Sequence, residues 1–219
     1  RTVSCNLYKK TKEYCRNGYF MVVFEYGSSS TKTGNLMTGT DDNKINIKLL
    51  DVETINDVSV DQLEIATQKV CFEHWNILRA DRIAPDYKEI DLLTFPLKAI
   101  PSSSIVDIPP DGQNIKYRYW GSSLTRLTNK DMTGRNVEDM SDKEDGMALL
   151  KQYELVISTK KPALFIMNLA SQFGQEATET VLRLPLSSDG ETINHVLSFN
   201  NLGNNPFLYA DNIYHTLIE

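Results

Sequence analysis

The chain has 219 residues, 41% of them hydrophobic and 24% charged, and 23 basic against 29 acidic side chains give it a formal charge of −6. This balance allows a sizeable core and argues against wholesale disorder, and the acidic surface repels phosphate backbones, so no nucleic-acid partner is expected. No apolar run approaches the roughly 18–20 residues of a membrane span, and no basic-then-apolar leader opens the chain, which starts at Arg1 as a piece of a longer protein would.

Residues 1–58 read as a β-rich N-terminal extension. Tyr19–Tyr26 (YFMVVFEY) is aromatic and β-branched, as a buried strand is. Residues Gly27–Asp42 carry the Gly, Ser, Thr and Asp of a loop, and Lys44–Val52 alternates Ile45, Ile47 and Leu49 with polar residues. The two strands are expected to form a β-hairpin with a long connection. Cysteines 5, 15 and 71 are odd in number and irregularly spaced, so free thiols in a reducing, cytoplasmic compartment are expected. Cys5 and Cys15 could alternatively pair across a short loop, but they are too far apart for a C-x-x-C metal knuckle.

Ser59–Ala80 is predicted to be helical. Ser59 and Gln62 match a capping box, Asp61 sits in the first turn, and Leu63, Ala66, Val70, Trp75 and Leu78 make an apolar stripe. Pro85 cannot continue it. Ile105–Ile108 and Ile115–Trp120 flank Pro109-Pro110-Asp111-Gly112, a hairpin signal. Residues 121–140 should form short helical turns, within which Asp131 and Arg135 are spaced for an ion pair, and Glu144–Ser158 a helix with Met147, Leu150 and Leu155 on one side. Strands are predicted at Ala163–Ala170, Thr178–Leu186 and Thr192–Asn200, the last two joined by a Ser187-Ser188-Asp189-Gly190 turn. The order points to an α+β fold: a five-stranded antiparallel sheet with helices on one face.

Three segments carry a family resemblance. YRYWGSSLTRLTNKDMTGRNVEDM (117–140) holds a strand-ending Gly121 and the element Asp131-Met132-Thr133-Gly134-Arg135. Upstream lies HWNILRADRIAP (74–85), with W-x-x-L-R, and downstream LRLPLSSDGETI (182–193). Together they resemble a PAS domain of the bacterial single-PAS sensor type over Leu63 to Leu202. The resemblance implies a PAS-like domain at 59–202, including its N-terminal helix, followed by a linker or tail at 203–219. It further implies a non-catalytic sensory and signal-transduction module with a cavity between sheet and helices. That cavity would hold a small-molecule ligand; alternatively the core is filled and the domain is an interaction module, with homodimerisation through the N-terminal helix.

No cofactor is expected. Flavin photosensors of this family carry a reactive Cys after G-R-N, where Val137 stands here; this excludes a cysteinyl adduct but not non-covalent flavin. Haem-binding members use a His on the long helix, and residues 141–160 contain none, although His195 could ligate from the sheet. The tentative cavity residues are Met140, Met147 and Leu150 from the helices and Phe165, Met167, His195 and Leu197 from the strands. Ala163, Phe165, Met167 and Leu169 form an alternating row that serves equally as plain core or as an adaptable wall. His195 shares a strand face with Ile193, Leu197 and Phe199, as a hydrogen-bonded core histidine or a ligand contact. No nucleophile elbow, phosphate loop, H-E-x-x-H or paired-cysteine motif is present, so no catalytic residue is assigned. The usual D-x-T output element is replaced by Asn200–Pro206, which leaves the 59–80 helix as the other route for a signal.

Overall fold

The computed structural model describes residues 10–16, 19–25, 47–140, 143–171 and 175–202, and the chain divides into two compact units, residues 1–42 and 43–219. In the first, β1 (Lys10–Arg16) pairs antiparallel with β2 (Tyr19–Glu25). The partner of the Tyr19 strand is thus the segment before it, not residues 44–52. Cys5, the 27–42 loop and the 203–219 tail fall outside the described residues.

The second unit contains β3 (Ile47–Asn56), α1 (Ala66–Arg79), β4 (Ser103–Asp107), β5 (Lys116–Trp120), α2 (Ser122–Thr128), α3 (Lys143–Thr159), β6 (Ala163–Ser171), β7 (Glu176–Leu186) and β8 (His195–Asn201). Its strands form one antiparallel sheet ordered β3-β6-β7-β8-β4-β5. Five of these are the expected PAS-like strands. The sixth, β3, comes from the extension and lines the edge of β6, so its apolar alternation is used within this sheet.

Both faces of the sheet are covered. α2 and α3 lie on one, as expected. α1 lies on the other, because the Thr180 hydroxyl donates to Gln68 Oε1 while the neighbouring Val181 points the opposite way. The segment 81–102 joins α1 there, with Phe95 against Phe199 and Tyr87 stacked on His195. β7 and β8 are therefore buried on both sides, which accounts for the nearly unbroken burial of residues 181–187 and 196–199.

α1 starts later than its sequence signals indicate. Residues Val60–Gln62 form a separate 3-10 turn in which Ser59 N donates to Gln62 Oε1 at 2.9 Å. Leu63 then adopts an extended conformation and enters the core. The buried face is Gln68, Cys71 and Trp75, while Val70 and Ile77 of or beside the expected stripe are 49% and 74% exposed. Gln68 Nε2 donates to the carbonyls of Thr180 and Phe199, both at 3.0 Å, so a polar residue serves as a clamp between two strands.

The sequence segments that carry the resemblance meet in space. Trp75 Nε1 donates to the Pro185 carbonyl at 2.9 Å and Ser187 N to the Pro85 carbonyl at 2.9 Å. Pro185 is tolerated inside β7 because β6 pairs only as far as Arg183, leaving that edge of the strand without a ladder neighbour. The Asp131-to-Arg135 element is a turn that adds to β5: Gly134, at φ +78°, donates its N–H to Tyr117 O, and Tyr117 N donates to Arg135 O. Asp131 caps the Thr133 N–H at 2.9 Å, which holds its carboxyl below the usual range; that bond replaces the expected ion pair with Arg135.

Candidate functional site

Between the sheet and α2, α3 and the 137–140 turn lies a cavity of about 270 Å³. Two strand irregularities shape it. β3 and β6 slip register between Leu49 and Asp51, so that Leu49 and Val52, three residues apart, both turn inward and Leu50 is left 52% exposed. In β5 the register steps at Arg118, so that Tyr117 and Trp120 both face α3 while Arg118 turns out to pair with Asp107 at 2.5 Å. Without these two bulges the cavity would lose a wall residue at each end.

The wall is mostly apolar: Leu49, Leu124, Leu127, Met140, Leu149 and Leu169 are among its residues. Its polar end is built on one cross-strand row, Arg183 (β7), Ser198 (β8), Ser104 (β4) and Trp120 (β5), each directly opposite the next. Arg183 is only 3% exposed. Its Nε and Nη2 donate to Gln152 Oε1 at 3.1 and 2.8 Å, and its Nη1 to Ser198 Oγ at 2.9 Å. The guanidinium lies 4.0 Å from the centre of the Tyr153 ring and 5.6 Å from that of Phe165. Tyr117 stands edge-on to Trp120 at 4.6 Å, and its burial, with Tyr153 beside it, pushes its phenol well above the ordinary value. Trp120 Nε1 is buried without a hydrogen-bond partner. Glu179 and Asp145 also line the cavity, and both have partners.

Of the sequence-predicted site residues, the structure brings Met140 and Met167 to this wall. Phe165 lies beneath Arg183 on the same face. Met147 points away, 49% exposed in a separate groove against Val52 and Thr54, and Leu150 does not line the cavity. His195 and Leu197 are on the opposite face, behind Tyr87 and α1. The alternation along β8 holds, but with helices on both faces it does not say which pair of layers each residue joins. His195 Nδ1 meets Asn194 Oδ1 at 2.9 Å and its Nε2 is 3.3 Å from Asp107, while burial pulls its pKa down. Sequence reasoning missed Arg183, Tyr117, Tyr153 and Trp120. A usable signal existed: Arg183 interrupts the otherwise apolar run 181–186 of β7, and a charge there must be buried against something.

Among the described residues no three or more His, Cys, Asp or Glu side chains are grouped to hold a metal ion. Cys71 lies on α1 behind the sheet, and burial pushes its thiol up to about 12. No helix among the described residues is long and apolar enough to cross a membrane.

A sheet of this topology, with a helix-roofed cavity on one face, is an α+β fold. The family model "PAS domain" matches residues 63–199, and the chain belongs to that family. No curated protein matches. Among solved structures the chain is similar to an RNA-binding Light-Oxygen-Voltage receptor, at 12% identity and a TM-score of 0.39, over 77% of this chain and 42% of that one. It is also similar to the blue-light photoreceptor Aureochrome1 LOV in its light state, at 16% identity and TM-score 0.37, over 56% and 94% of the two chains. A fungal LOV domain photoreceptor matches at 19% identity and TM-score 0.36, over 52% and 80%. The chain thus spans less than half of the first of these.

Proposed function

We propose that this PAS domain is a non-catalytic sensor that binds a small molecule in the cavity between α3 and the sheet. The single observation that supports it most is the cavity itself: about 270 Å³, apolar over most of its wall, with polar groups converging at one end. A filled core would have favoured the alternative, an interaction module without ligand. The sensor domain is taken to begin near Ile47, since β3 supplies Leu49 to the wall, instead of at residue 59.

β7 offers a route for output. Arg183 faces the cavity, and two residues on, the Pro185 carbonyl receives the Trp75 indole N–H of α1. A ligand that shifts β7 would bias α1 through that bond. The exposed Val70 and Ile77 on α1 support homodimerisation there, and the resemblance points to a bacterial, cytoplasmic setting. The test compares intact mass under native and denaturing conditions after incubation with a metabolite extract. Added mass that denaturation releases is expected; identical masses would count against the reading.

A further inference from the structure

We propose that the cavity ligand is an organic carboxylate on a compact apolar body, its carboxylate held by the Arg183 guanidinium. This rests on the sensor reading above and adds the chemical class.

The first argument is the state of Arg183. A buried guanidinium is costly unless an opposite charge compensates it. Its described acceptors are the neutral oxygens of Gln152 and Ser198, and no carboxylate among the described residues comes within ion-pair distance. Three of the five N–H groups of the fork are used, and Gln152 Oε1 accepts two of them. Glu179 and Asp145, the two acids that line the same cavity, both have partners. The fork and its planar geometry match a carboxylate.

The second argument is independent of the first. Trp120, at the other end of the same cross-strand row, has a buried indole N–H without an acceptor. Indole can only donate, so whatever satisfies it must bring a lone pair. Trp120 and Arg183 both line the same cavity, so the row sets two donor-bearing side chains on the wall of a single space. The rest of the wall sets the body: Leu124, Leu127, Met140, Leu149, Met167 and Leu169 favour an apolar skeleton. A volume of about 270 Å³ is that of roughly nine bulk waters, so the ligand has on the order of ten heavy atoms.

The test follows the methionine methyl NMR signals of the full chain, with Met140 and Met167 as cavity reporters and exposed Met147 as an outside reference. The probes are phenylacetate with phenylacetamide, hexanoate with hexanamide, and phenyl phosphate, each titrated to millimolar concentration. The acids should move Met140 and Met167 but not Met147, and bind about tenfold or more tightly than their amides, as a charge-assisted pair implies. Arg183→Gln should erase that preference; where this variant loses the native methyl spectrum, Arg183→Lys, which keeps the charge but not the fork, should reduce it severalfold. Trp120→Phe, outside the guanidinium network, should weaken acid binding about threefold to tenfold. Amides binding as well as acids, a preference that survives at Arg183→Gln or Arg183→Lys, or phenyl phosphate outcompeting the carboxylates would each overturn the carboxylate assignment and leave the sensor reading standing. No response of the two reporters to any acid would also overturn it; the sensor reading falls only if neutral probes and the extract fail as well.

Discussion

Gly146 sits inside α3, where an alanine would ordinarily stabilise the helix by about 1 kcal/mol. Here the sign should reverse. A Cβ at this position would lie 2.5 Å from the main-chain oxygen of Glu138 and 3.1 Å from its C and Cα. The obstacle is backbone, in the 3-10 turn Val137–Asp139, so it cannot rotate out of the way. Reaching the ~3.5 Å of ordinary contact needs α3 to move by roughly 1 Å, and overpacking of this kind costs about 1–3 kcal/mol. Because the obstacle is backbone, the upper part of that range applies, about 2–3 kcal/mol, and setting the propensity gain of about 1 kcal/mol against it leaves Gly146→Ala destabilised by about 1–2 kcal/mol. For a chain of this size that is a melting point lower by roughly 2–8 °C. Urea denaturation followed by circular dichroism reads it as a lower midpoint at an unchanged slope. Since α3 carries Leu149 and Tyr153, the Met140 methyl resonance should shift as well. A midpoint that is unchanged or higher would refute the claim that α3 is pressed against the 137–139 turn.

Trp75→Phe keeps a ring in the core but removes the N–H that satisfies the Pro185 carbonyl, and should cost about 1–3 kcal/mol by the same denaturation; a loss under about 0.5 kcal/mol would mean that the bond does not hold α1 to β7. Burial lowers the His195 pKa, the nearby Asp107 opposing it, so folding favours the neutral ring. Its contribution is complete above the ordinary histidine value of about 6.5 and is lost as pH falls through that value towards the lower folded one. The stability difference between wild type and His195→Gln should therefore be flat above about pH 7 and shrink below about 6.5; a difference that grows on acidification would contradict it. Cys71, its thiol pushed up to about 12 by burial, should resist iodoacetamide at mildly alkaline pH in the native protein and react in denaturant, as peptide mass mapping would show.

The sheet was legible because its signals are local. Asp189-Gly190 and Pro109-Pro110-Asp111-Gly112 fix hairpins, and the alternation in 163–170 and 178–186 marks strands whatever they pack against. The sixth strand escaped because nothing in Ile47–Asn56 names β6 as its partner; pairing across more than a hundred residues is chosen by the tertiary fold. The faces escaped for a related reason. A strand covered on both sides has no polar face to orient it, so alternation alone does not reveal that His195 and Leu197 lie behind the cavity. Met140 and Met167 line the cavity, where apolar alternation and helix position converge on them. Tyr117 and Trp120 depend on the bulge in β5 and a cross-strand row, which have no signature in the order of the residues; Arg183 alone leaves one, a charge inside an apolar run.

The central claim, that the cavity under α3 is where this domain takes its ligand, is tested most directly by comparing the native mass of the wild type with that of Leu127→Trp, a substitution that fills the cavity from the wall on α2. Both proteins are incubated with one metabolite extract and checked for native folding by circular dichroism. The account predicts an added small mass on the wild type, released on denaturation, and none on Leu127→Trp. Equal uptake by the two folded proteins, or none by the wild type, would contradict it.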